Sequence, residues 1–160
     1  MTNTPQARGP NLPMNGSCPP GPPKRYDRFD AVSYPPYPGS VPRARRHVVR
    51  LLTDWGHPGS AGDAALLASE LCTNALLHGC LRDRLFRVET SLAGTALRVA
   101  VTGPRGERVP SVNDPASEDQ FGRGLLIVRT LAARWDIERL TVGKTVWAEL
   151  DVTVVSRDRN

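Results

Sequence analysis

The chain has 160 residues, a formal net charge of +5, 39% apolar and 23% charged residues, which leaves room for one domain of ordinary size and not for two. It has no run of about 18 uncharged apolar residues to cross a bilayer, and Pro5, Pro10, Pro13, Pro19 and Pro20 fall where a secretory leader would need its apolar stretch; a cytoplasmic protein with no membrane association is expected. Cys18, Cys72 and Cys80 form no Cys-x-x-Cys pair, which excludes a zinc ribbon or a disulfide framework and leaves buried or idle thiols.

Residues 1–25 are rich in Pro, Gly, Asn, Ser and Thr and read as a disordered tail, with one domain over 26–155 and a short tail over 156–160. A first strand is predicted over 26–34, and Pro35, Pro36, Pro38 and Gly39 interrupt it. Ser40 and Pro42 then open a helix that runs to about Trp55, with Val41, Ala44, Val48, Leu51, Leu52 and Trp55 as its apolar stripe. Arg43, Arg46 and Arg50 share one side of that helix and read first as a solvated face. Gly56 to Gly59 is the stop signal. Ser60, Ala61, Gly62 and Asp63 match a capping box before a second helix over 64–78, apolar on most sides and so expected to be buried.

Alternation predicts strands over 85–92 and 96–102, joined at Ala93, Gly94 and Thr95 as a β-hairpin. Residues 103–121 form a long loop with three prolines, followed by a helix over 124–134, a strand over 135–140, a turn at 142–144 and a strand over 145–155. This order predicts an α+β fold, a two-layer sandwich whose mixed, mostly antiparallel sheet is covered on one face by helices.

Glu70, Asn74 and His78 stand at i, i+4 and i+8 on the second helix, a polar row among Leu66, Leu67, Leu71, Cys72, Ala75 and Leu76. By spacing alone this row is either the edge of a ligand cavity or an exposed helix edge. The segment from Glu70 to Gly79, ELCTNALLHG, resembles the N-box of the GHKL (Bergerat) ATPases, and in particular the branch of the bacterial anti-sigma factor serine/threonine kinases. Gly122-Arg123-Gly124-Leu125 resembles the branch's second glycine box, and Gly143 to Leu150, GKTVWAEL, its closing strand.

The resemblance implies ATP and Mg²⁺ as cofactors. Glu70 would be the general base that accepts a proton from an attacking hydroxyl, and Asn74 would give its amide oxygen to Mg²⁺, which prefers hard oxygen ligands. His78 would lie near the phosphates. Gly122, Arg123, Gly124 and Leu125 would approach them at a helix start, where unpaired N–H groups favour anions. Thr145 would offer its hydroxyl near the adenine. A sigma factor and an antagonist protein are the partners implied, and a homodimer is compatible with related regulators.

One position departs from the pattern. Where the family places an adenine-binding aspartate this chain has Gly103, and no Asp or Glu occurs from Ala96 to Gly106; Thr102 is left to substitute in part. Two functions therefore compete, an active ATP-dependent kinase and a binding module on the same fold with weak or no nucleotide turnover. A nucleic-acid binder is the third class, and the charge distribution argues against it. Arg8, Lys24, Arg25 and Arg28 outweigh Asp27 by three charges, leaving little excess in the domain, and no aromatic residues interleave the arginines.

Overall fold

The computed structural model describes residues 25–78, 84–103, 126–141 and 143–152, the side chain of His78 excepted. Residues 1–24, the long loop beyond Gly103 and the glycine box at 122–125 lie outside them, as do Cys18 and Cys80. The elements are β1 (Arg28–Tyr34), α1 (Ser40–Asp54), a 3₁₀ turn (Pro58–Ser60), α2 (Ala61–His78), β2 (Phe86–Ala93), β3 (Ala96–Gly103), β4 (Arg134–Arg139) and β5 (Lys144–Asp151). Residues 126–131 are helical, within the helix expected over 124–134.

The five strands form one sheet in the order β1-β2-β3-β5-β4, and every pairing is antiparallel rather than mixed. The hairpin closes on the pair Ala93 and Ala96, so its turn is Gly94-Thr95, with Gly94 at a φ of 60°. Only a residue without Cβ takes that conformation without strain.

Strand alternation divides the sheet into two faces. Leu97, Val99 and Val101 of β3 and Val146, Ala148 and Leu150 of β5 point to the helices and are buried. Arg98, Ala100 and Thr102 stand on the other face opposite Glu149, Trp147 and Thr145. There the Arg98 guanidinium lies 4.1 Å from the Trp147 ring centroid, and Arg134 Nε donates to Glu149 Oε2 at 2.7 Å. Polar and aromatic groups thus line one face and aliphatic groups the other.

α2 packs on β3 and β5, and α1 packs against α2. The small side chains of Ala61, Ala64, Ala68 and Ala75 let α2 approach closely, while Leu67, Leu71 and Cys72 fill the interior. Leu66 and Leu77 remain exposed, so the helix is less enclosed than its composition suggested. α1 contributes Ala44, Val48 and Leu52, all at or below 1% exposed; burying each of the two larger side chains is worth about 1.5–3 kcal/mol. The helix ends in a Schellman arrangement. His57 N–H donates to Leu52 O and Gly56 N–H to Thr53 O, with Gly56 at a φ of 86°. At its start the Ser40 hydroxyl donates to Pro35 O at 2.6 Å and fixes the strand-to-helix corner.

Candidate functional site

The hydrophobic demand of the sheet rotates α2 so that Leu67, Leu71 and Ala75 point inward. Glu70 and Asn74, one turn apart, then fall on the flank of the helix, both half-buried. Burial holds the Glu70 carboxyl above its ordinary range, and among the described residues no charge or hydrogen bond contributes to the shift. The amide nitrogen of Asn74 is buried and has no hydrogen-bond partner among the described residues.

An unpaired buried donor costs about 1–3 kcal/mol. Most buried polar groups are satisfied, so one that is not calls for an explanation. Among the described residues His57 Nδ1 and Trp147 Nε1 are orphaned as well; what sets Asn74 apart is its place one turn from the Glu70 carboxyl on one helix flank. An unpaired N–H donor beside a carboxyl fits a polar, oxygen-rich ligand, and the amide oxygen of the same side chain is the atom a divalent cation would take. Among the described residues no group of three His, Cys, Asp or Glu side chains could hold a metal ion by itself, so a cation at Asn74 would take most of its ligands from phosphate and water, as Mg²⁺ commonly does.

Gly103 closes β3 on the same side of the sheet as Val99 and Val101, and it is buried. Its cross-strand partner is Lys144, the first residue of β5. Burial and the nearby Arg139 push the Lys144 ammonium below its ordinary range. Lys144 adjoins Thr145, the residue to which the sequence resemblance points.

The structure separates Thr102 and Thr145 from Glu70 and Asn74. The two threonines are cross-strand partners on the face away from the helices, where their hydroxyls bond to each other at 2.7 Å. Side chains alternate along a strand, so the residue that shares the helix side with Val146 is Lys144, not Thr145. The adenine contact expected of Thr145, and the substitution expected of Thr102, therefore do not fit a site built on α2. Gly122, Arg123, Gly124 and Leu125 lie outside the described residues, as does the His78 side chain.

The sequence pattern of the histidine kinase-like ATPase domain matches residues 34–150. The chain belongs to that family. Its matched span begins at the end of β1 and ends within β5, so it includes α2 with Glu70 and Asn74, and the Gly103–Lys144 pair. Among solved structures this ATPase-family chain is similar to the histidine kinase domain of the blue-light activated histidine kinase of Erythrobacter litoralis, with 22% identity and a TM-score of 0.45. That match covers 76% of this chain and 65% of the other, so the chain spans about two thirds of the solved domain's length. No curated protein matches.

Proposed function

We propose that the chain is an ATP-binding regulatory protein that acts as a serine/threonine kinase on an antagonist protein and also binds a sigma factor. The observation that carries the nucleotide part is the orphaned amide of Asn74 one helical turn from Glu70, whose carboxyl burial perturbs. The kinase part and its partners rest on the resemblance of the segment from Glu70 to Gly79 to the N-box of the anti-sigma factor kinases.

In this reading Asn74 would hold Mg²⁺ through its amide oxygen, and the ion would supply neutralisation of phosphate charge. Glu70 takes the proton of the attacking hydroxyl, a partner's serine or a water, and its raised pKa makes it a better base than an exposed glutamate. Val99, Val101 and Val146 form part of the aliphatic core on which α2 packs.

A second reading, the same fold used as a binding module without turnover, is favoured by Gly103 with Lys144 opposite it. A lysine offers donors only, whereas the adenine amino group needs an acceptor. The two readings part on transfer of the terminal phosphate from labelled ATP, to a supplied serine-bearing antagonist or to water, by the parent and by Glu70→Gln. The kinase reading expects turnover that Glu70→Gln abolishes; no turnover by a parent that binds ATP supports the binding module.

A further inference from the structure

β1 is an edge of the sheet. Among the described residues it pairs only with β2. α1 runs beside it, tied down where His47 Nε2 meets Asp30 Oδ2 at 2.8 Å and where the Arg43 guanidinium sits 5.8 Å from the Tyr34 ring centroid. Between them lies an open groove of about 520 Å³, lined by Val32 and Tyr34 from the strand and by Arg43, Arg46, His47 and Arg50 from the helix. All three arginines are exposed. Arg50 Nη2 also reaches His47 Nδ1 at 2.9 Å, which holds it over the groove. The neighbouring Asp30 carboxylate is engaged by His47, so the helix wall faces the groove with a large positive excess.

We propose that this groove binds an acidic segment of a partner protein in extended conformation, which pairs with β1 as a sixth strand while its carboxylates meet Arg43, Arg46 and Arg50. An edge strand offers unpaired backbone groups, and an adjacent helix wall supplies side-chain specificity. The spacing agrees. Arg43 to Arg50 spans about 10 Å along a helix, and alternate residues of a strand repeat every 6.5–7 Å, so acidic residues at every second position bring two or three carboxylates within reach of the arginines.

Charge argues against a second copy in the groove, since a two-fold contact there would set the same arginines against each other. It also argues for a peptide over single-stranded nucleic acid in combination with ring geometry. The aromatic ring in the groove, Tyr34, is 4% exposed and stacks on Phe86 at 5.8 Å, so it offers no platform for a base. The proposal shares no residue with Glu70 and Asn74 and does not depend on nucleotide binding.

The test is fluorescence anisotropy with the full chain and labelled seven-residue peptides. The probe alternates threonine and glutamate; its controls replace glutamate with lysine, or place proline at the centre. Micromolar binding of the glutamate peptide is expected, with none of the lysine peptide and at least tenfold weaker binding of the proline peptide. Arg46→Glu with Arg50→Glu should weaken the glutamate peptide at least tenfold and leave the thermal midpoint and ATP binding unchanged; Arg46→Gln with Arg50→Gln is the milder pair if the reversal does not fold. Absent binding by a folded chain, or equal binding of the lysine peptide, overturns the proposal. Equal binding of the proline peptide shows mere charge attraction and overturns strand addition. Tighter binding of a short oligothymidylate, or conversion of a dimer to a monomer by the glutamine pair, assigns the groove to nucleic acid or to a second copy and overturns it as well.

Discussion

Gly103 and Lys144 face each other across the ladder between β3 and β5, on the side of the sheet that carries the helices. Among the described residues only Gly56, Gly94 and Gly143 take a positive φ, so the Gly103 backbone is not in the left-handed region that favours glycine. Gly103→Asp therefore carries no left-handed backbone penalty, and its carboxylate lands opposite an ammonium that burial and Arg139 now disfavour. ATP binding by calorimetry should tighten about tenfold, equivalent to about 1.4 kcal/mol. GTP should gain less, because its ring presents a carbonyl where adenine presents an amino group. Lys144 competes for the new carboxylate, so the gain should be larger when Lys144→Met is added.

On the proposed kinase function, Glu70→Gln should abolish phosphate transfer and leave the ATP dissociation constant within about threefold, because a base in that role acts on the hydroxyl rather than on the bound nucleotide. Radiolabel transfer and calorimetry on the same preparation separate the two effects.

The same variant carries a stability signature with a definite sign. A carboxyl whose folded-state pKa is raised is destabilising when ionised, so its penalty is present above the folded pKa, fades as pH falls through it, and is gone below the unfolded value. Glu70→Gln should raise the thermal midpoint at neutral pH, and the difference from the parent should close toward pH 4.

Most of the architecture was legible because its periods are clean. The stripe of Ala44, Val48 and Leu52 repeats every four residues, and Leu97, Val99 and Val101 alternate; both match what the folded chain buries. The row of Glu70 and Asn74 was legible for the same reason, two polar groups one turn apart in an apolar helix. β5 was not. Val146, Trp147 and Ala148 are all apolar, so its sequence alone does not say which face is inward, and the neighbouring Lys144 and Thr145 could be exchanged without breaking any pattern. Pairing with β3 decides it. The groove at β1 was hidden for a different reason: the spacing of Arg43, Arg46 and Arg50 shows a charged helix side, but which strand becomes a sheet edge depends on pairing across the whole chain.

Helix punctuation gives a stability prediction independent of function. Gly56 has open space around its Cα, so Gly56→Ala pays only for its φ of 86° and should cost about 1 kcal/mol. Gly62 also has open space but lies inside α2 with no positive φ, so Gly62→Ala should stabilise by 0.4–1 kcal/mol. Chemical denaturation of the two variants should move the midpoint in opposite directions.

Asn74→Leu removes an orphaned buried donor while keeping the branched shape of the side chain. Thermal unfolding without nucleotide should rise by about 4 °C, as expected for about 1 kcal/mol in a domain of this size. A fall of the midpoint would show that Asn74 serves the fold.

The central claim, that the flank of α2 at Glu70 and Asn74 holds a nucleotide with its cation, is tested most directly by calorimetric titration of ATP into the parent chain and into Asn74→Ala, each with and without Mg²⁺. The account predicts saturable binding by the parent that strengthens with Mg²⁺, and at least tenfold weaker binding, with the Mg²⁺ dependence lost, in Asn74→Ala. Binding of equal strength and equal Mg²⁺ dependence in the two proteins, or no binding by a folded parent at millimolar ATP, would contradict it.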